Sequence, residues 1–129
     1  MILADTSVWI AHLRAGDGAL VGLLERGLVL GHPWVTGELA LGRLTQRREI
    51  IAHLTSLPQA TVATTDEVLT LVENQRLYGR GIGYVDTQLL TATHLTPEAE
   101  LWTADKPLAA AASSLGCAFD PSTSGADTT

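Results

Sequence analysis

The apolar run Ile2-Leu3-Ala4 ends on Asp5 and passes at once into Thr6-Ser7 and a helical spacing of apolar residues at Val8, Trp9, Ala11 and Leu13. No other stretch constrains the fold as much. An uninterrupted apolar run is what a strand covered on both faces requires, and such strands belong to parallel sheets. Thr6 or Ser7 can cap the helix that follows. A strand that runs straight into a helix is the repeating unit of α/β folds, whose ligands bind at the C-terminal edge of the strands. Asp5 is placed at that edge. An Asp at such a junction is also a good helix N-cap, and Asp5 taken alone is explained by either role.

The same alternation continues along the chain. Ala15-Gly16-Asp17-Gly18 is a turn, and Ala19 to Leu24 reads as an amphipathic helix closed by Gly27. Leu28 to Gly31 is a second buried strand, broken by His32-Pro33, and helical spacing resumes from Trp34 to Leu44 with Glu38 in its early part. Ile50, Ile51 and Leu54 mark another helix, and Ala60 to Ala63 a third strand. Thr64 and Glu67 then have capping-box spacing, which accounts for Asp66 and Glu67 without a site. The glycine-rich Gly79-Arg80-Gly81-Ile82-Gly83 lacks the preceding strand of a dinucleotide fingerprint and reads as a flexible connection to a helix that starts near Tyr84, with Asp86 in its first turn. Leu101-Trp102 is a fourth strand, Asp105-Lys106-Pro107 starts an Ala-rich helix to Leu115, and Cys117 to Phe119 is a final strand. The expectation is one α/β domain over 1–119 around a central parallel sheet, with a disordered tail over 120–129.

Composition limits the function classes. A formal charge of −6, from eight Lys+Arg against fourteen Asp+Glu, lacks the basic footprint on which phosphate binding normally rests. That objection weakens if several acids surround a bound cation, because the ion reverses the local field. A single cysteine, Cys117, excludes an intrachain disulfide, and with no leader-like segment a reduced cytoplasmic setting is expected. No apolar run approaches the ~20 residues needed to cross a bilayer, so a soluble chain is expected.

Four carboxylates stand out by position: Asp5, Glu38, Asp86 and Asp105. Each has a local explanation, as helix cap, solvated face or dipole partner. Three of them, however, fall where strand or loop turns into helix, which would gather them at one sheet edge. Close carboxylates repel by ~1 kcal/mol at 4 Å in water and by more at lower dielectric, so a convergent set needs a cation. Oxygen donors without His or Cys partners suit Mg²⁺ or Mn²⁺. Zinc does not fit, because Cys117 and the histidines His12, His32, His53 and His94 show no ligand spacing.

Asp5-Thr6-Ser7-Val8-Trp9, Gly37-Glu38-Leu39, Asp86 followed by Leu89-Leu90, and Thr103-Ala104-Asp105 resemble the PIN-domain family, in particular the VapC-type toxins of bacterial toxin–antitoxin pairs. The resemblance runs to about Phe119 and lies in the order and spacing of short motifs. It implies an α/β/α fold with a central parallel sheet. It also implies Mg²⁺- or Mn²⁺-dependent hydrolysis of RNA by Asp5, Glu38, Asp86 and Asp105, with Thr6, Ser7 and Thr103 as supporting polar groups. A small antitoxin and self-association as a homodimer are implied with it. Metal-assisted attack of water on phosphorus needs no protein nucleophile. Arg43, Arg47, Arg48, Arg80 and Lys106 are then the candidates to hold the RNA backbone, in contacts that position without specifying.

Rival readings make separate demands. A response-regulator receiver domain shares the size, an acidic Mg²⁺ pocket and a Lys-Pro step like Lys106-Pro107, but needs an acidic pair after the first strand and an Asp ending the third. Here Thr6-Ser7 follow Asp5, and Thr64-Thr65 follow Ala63. A haloacid-dehalogenase phosphatase would need a second Asp where Ser7 stands. A PIN-fold module that binds RNA or protein without catalysis has no need for all four acids.

Overall fold

The computed structural model describes residues 1–124. In chain order the elements are β1 (Ile2–Ala4), α1 (Thr6–Ala15), α2 (Gly18–Glu25), β2 (Val29–Leu30), α3 (Pro33–Ala40), α4 (Arg47–Ser56), α5 (Thr65–Asn74), α6 (Tyr84–Leu95), β3 (Glu100–Trp102), α7 (Lys106–Ser114) and α8 (Pro121–Ser124). The strands form one parallel sheet in the order β2-β1-β3, with Ile2 level with Val29 and Glu100, and Leu3 level with Leu30 and Leu101. All residues of β1 are buried, so helices cover both faces of the sheet, as the α/β/α expectation requires. Leu3, Leu89, Leu90, Leu101 and Leu108 are among the fully buried side chains at the centre.

Two expected strands shrink to single bridges at the sheet's outer edges. Beside β2, Gly31 N–H donates to Pro58 O (2.7 Å) and Ala60 N–H to Gly31 O (2.9 Å). The ladder ends there because Thr61 N–H is taken by Thr96 Oγ1 at 3.0 Å, and Val62 turns out to solvent. Beside β3, Leu101 N–H donates to Cys117 O (2.7 Å) and Phe119 N–H to Leu101 O (2.9 Å), and Pro121 then begins α8.

Two further expectations need correction. Helix α3 stops at Ala40 rather than Leu44, which puts Glu38 in its last turn instead of its early part. Leu41 is 91% exposed, so the apolar spacing that suggested a longer helix has no core to face there. The tail expected to be disordered opens with the short α8, where both the N–H and the Oγ of Ser122 donate to Asp120 Oδ1 (2.9 and 2.7 Å). Residues 125–129 lie outside the described residues.

Helix α6 is the most deeply set: Thr87 through Thr93 are buried without a break. Its hydroxyls are satisfied within the helix, Thr91 Oγ1 donating to Thr87 O (2.7 Å) and Thr93 Oγ1 to Leu89 O (2.8 Å). α6 and α7 both pack on β3. That packing brings the start of each helix to the sheet edge where β1 ends. Among the described residues no helix is long and apolar enough to cross a membrane.

Candidate active site

Because β1 and β3 are parallel, both chains leave the sheet at the same edge, and Asp5 N–H still donates to Trp102 O at 2.9 Å as they do. Asp5 is 4% exposed. Its Oδ1 accepts from Val8 N–H (3.2 Å) and from Ser7 Oγ (2.5 Å), and its Oδ2 accepts from Thr103 Oγ1. The helix-cap role and the site role therefore coincide. An ionised carboxylate has about four lone-pair directions, and these donors leave one for a ligand.

The supporting hydroxyls tie the two strand-to-helix turns together. Ser7 Oγ donates to Asp5 and accepts from Ala104 N–H (3.2 Å), while Thr103 Oγ1 donates to Asp5 and accepts from Asp105 N–H (3.0 Å). Asp105, exposed, caps α7 by accepting Leu108 N–H at 3.0 Å. From the other side, Thr6 Oγ1 donates to Glu38 Oε1 at 2.5 Å and so draws the end of α3 toward α1. Thr6, Ser7 and Thr103 thus each touch one of the four acids.

Asp86 stands in the first turn of α6, where Gly83 as N-cap has no side chain to offer. The Asp86 carboxylate accepts the Gly83 N–H instead. Burial pushes the Asp86 carboxyl above the usual range, the Gly83 hydrogen bond opposes that, and the negative charges of Asp105, Asp5 and Glu38 push it further up. Carboxylates that the sequence spreads over a hundred positions therefore act on one another at a single edge. Among the described residues no three ligating side chains close into a ready-made metal cage. Carboxylate oxygens are donors for a hard divalent cation, which takes one or two of them directly and keeps waters in its shell.

The basic candidates divide. Arg43 lies in the turn after α3 and lines, with Glu38, a cavity of about 440 Å³ whose other walls include Ile10, Leu13, Leu39, Leu44 and Ile50. This cavity touches the acids through Glu38 alone. Arg14, which no motif marks, lines it too. The loop holding Arg80 approaches α7: a Cβ on Gly81 would stand 3.9 Å from Pro107, the residue after Lys106. Arg47 and Arg48 are exposed at the start of α4 and line none of this cavity.

His32 was legible only as part of the break that ends the second strand. It is fully buried and caps α3, its Nδ1 accepting Trp34 N–H at 3.0 Å. Its Nε2 is buried without a hydrogen-bond partner, and burial holds its pKa below the usual value. The other residues missed are Trp34 and Tyr84, whose rings meet at 6.1 Å while both remain partly exposed. No pattern of spacing marks them, since their proximity is a matter of how α3 and α6 pack.

No family model matches the chain. Ribonuclease VapC32 of Mycobacterium tuberculosis, found in two strains, is 51% identical to it over 119 residues, which cover 92% of this chain and 96% of that protein.

Proposed function

The chain belongs to the VapC-type ribonuclease toxins of the PIN-domain family, and from that premise we propose that it hydrolyses RNA phosphodiester bonds with Mg²⁺ or Mn²⁺ held by Asp5, Glu38, Asp86 and Asp105. The observation that carries the reading is the sheet edge itself, where Ser7 and Thr103 tie Asp5 to the turn of Asp105 and Thr6 holds Glu38, with the charges of all three acting on Asp86. The donor set, carboxylate oxygen throughout, fits a hard divalent cation. Bound there, the cation supplies Lewis acidity, lowering the pKa of a water and offsetting charge on the phosphoryl oxygens.

The chain's own residues do the rest. Ser7 and Thr103 hold the Asp5 carboxylate from both of its oxygens, so it meets a ligand without reorganising. Glu38, held by Thr6, adds its charge from α3. No side chain serves as nucleophile: water attacks phosphorus in line and one ester P–O bond breaks. Arg43, which lines a cavity with Glu38, Lys106, which follows Asp105, and Arg80 hold backbone phosphates. Arg47 and Arg48 occupy a helix N-terminus, where the dipole disfavours cations, so helix stability does not account for them, and a phosphate role would.

As a toxin the protein requires restraint, and its partner is a small antitoxin. The apolar cavity opening on Glu38 offers a seat for an amphipathic segment, and a bidentate Arg from that segment would pair with the acids. Self-association as a homodimer completes the proposal, checked by sedimentation. No observation favours the receiver reading, because Thr64 and Glu67 form a reciprocal capping box where a receiver's phosphoacceptor would be needed. The decisive experiment incubates purified protein with structured RNA in EDTA, Mg²⁺ and Mn²⁺. Cleavage is expected only with a cation. An Asp5→Asn protein that cut at the wild-type rate with the same Mg²⁺ dependence would remove the site assignment.

A further inference from the structure

The chain has three Trp, two Tyr and one Phe. Trp9 and Trp102 are buried, 3% and 7% exposed, and Phe119 packs on Trp102 with ring centroids 5.4 Å apart. Tyr78, Trp34 and Tyr84 are exposed instead, at 59%, 39% and 46%, and the last two are paired: their rings meet edge to face at 6.1 Å with an interplanar angle of 64°. Neither ring fills the core, so packing stability does not explain why two large apolar faces are held together in water.

Their placement supplies a reason. Trp34 and Glu38 are four residues apart on α3 and so share a face, about one helical turn from each other. Tyr84 opens α6, two residues before Asp86. The aromatic pair thus joins the two helices that carry Glu38 and Asp86, on the rim of the acid cluster. Tyr84 is also pinned: its hydroxyl accepts from Gln88 Nε2 at 3.0 Å, and Gln88 is 3% exposed. His32, itself fully buried, fixes the first turn of α3 by accepting the N–H of Trp34. Both residues are therefore held at their backbone or their polar tip while part of each stays exposed. Anchored, part-exposed aromatic surface beside a phosphate-cleaving site is what an unstacked base needs, because every base has a π-face and a base rides on the same chain as the phosphate.

We infer that Trp34 and Tyr84 form a stacking platform for a nucleobase of single-stranded RNA next to the scissile phosphate. The inference rests on the ribonuclease reading above and adds a subsite to it. It commits the protein to substrates whose cleavage site is unpaired, since a base in a duplex cannot reach the platform without leaving its stack.

The test uses the full chain with a single-stranded RNA containing the cleaved sequence, and a matched series in which each position flanking the cut is made abasic in turn. Trp34→Ala and Tyr84→Ala should each raise KM about tenfold with kcat nearly unchanged, and Trp34→Phe should restore most of the loss. One abasic position should reproduce that KM in the wild type and add nothing further in Trp34→Ala. Because the other indoles are buried, the RNA should quench the exposed Trp34 fluorescence of the cleavage-deficient Asp5→Asn protein in Mg²⁺, and the abasic version should not. Wild-type KM in both Ala variants, or equal KM for intact and abasic RNA throughout, would overturn the platform while leaving the ribonuclease reading intact. A fall in sedimentation mass in Trp34→Ala, with the same KM change for intact and abasic RNA, would instead assign the pair to contact with a second copy of the chain and would also overturn it. Wild-type protein that cut no RNA in either metal would remove the ribonuclease reading and the platform together.

Discussion

The acid cluster has two halves that are built differently. Asp5 and Asp105 follow parallel strands and are cross-tied by Ser7 and Thr103, with Asp5 receiving donors on both oxygens. Glu38 and Asp86 sit on helices instead, Glu38 exposed and held by Thr6, Asp86 held by the N–H of Gly83 at the end of a loop whose Gly79 and Gly81 have positive φ. The strand half is fixed by the sheet register, while the helix half is placed by how α3 and α6 pack. The difference teaches where rigidity resides: a group on the sheet edge inherits the precision of the ladder, and a group on a helix end moves with its helix.

The largest expected effect tests the fixed half. Asp5→Asn should lower RNA cleavage by on the order of a thousandfold, the several kcal/mol expected when a cation loses a fixed carboxylate. Its melting temperature should barely change, because Asn caps a helix about as well as Asp and Asp5 caps α1. A large loss of stability would mean that Asp5 is chiefly structural. Next in size are the hydroxyls. Thr103→Val should cost about 10–100-fold in activity or metal affinity, as outer partners of metal sites usually do, and Thr6→Val less, since Glu38 is exposed and less constrained. Reversal of that order in parallel metal titrations would undo the division into halves.

A smaller effect concerns metal and stability. Mg²⁺ or Mn²⁺ at a hundredfold excess over Kd should stabilise the protein by about 2.7 kcal/mol, and Asp5→Asn should reduce the gain. Melting curves in EDTA and in each metal measure this. Equal gains in the two proteins would return Asp5 to its role as a cap.

The smallest effect is a pH dependence with opposite signs in two residues. Asp86 has a raised carboxyl pKa, so the folded metal-free protein binds the extra proton, and stability should rise as pH falls through that folded pKa toward the ordinary 3.8. His32 has a lowered pKa, so the unfolded chain binds the extra proton, and stability should fall as pH drops below 6.5 toward the folded value. Asp86→Asn should abolish the first slope. His32→Asn, which keeps an acceptor for the α3 cap, should abolish the second. Melting temperature against pH in EDTA for both variants separates the slopes, and an Asp86→Asn profile superimposable on wild type would show that the helix half carries no shared charge.

Much of the site was legible where its chemistry is local. Asp5, Asp105 and the Thr64–Glu67 capping box all bond to groups within three residues, and the order of turn and apolar residues announces them. Glu38 was legible as a candidate but misplaced along its helix, because apolar spacing does not register that Leu41 has no core to meet. The strand expected over Ala60–Ala63 failed for a similar reason. Its β-branched Thr61 and Val62 suit a strand, yet Thr61 N–H is claimed by Thr96, thirty-five residues away. The exposed Trp34–Tyr84 contact and the capping by buried His32 left no sequence signal at all.

The sequence by itself determined the α/β class, the parallel sheet and the residues at the strand-to-helix junctions, since these follow from short-range periodicity and capping. Only the tertiary structure decided which junctions meet. Thr103 reaches Asp5 across 98 positions and Thr6 reaches Glu38 across 32, and such contacts depend on strand order and helix packing. The field at Asp86 is of the same kind. It sums charges that are strangers in sequence and neighbours in space, and Coulomb energy depends on distance through space and the local dielectric, not on separation along the chain.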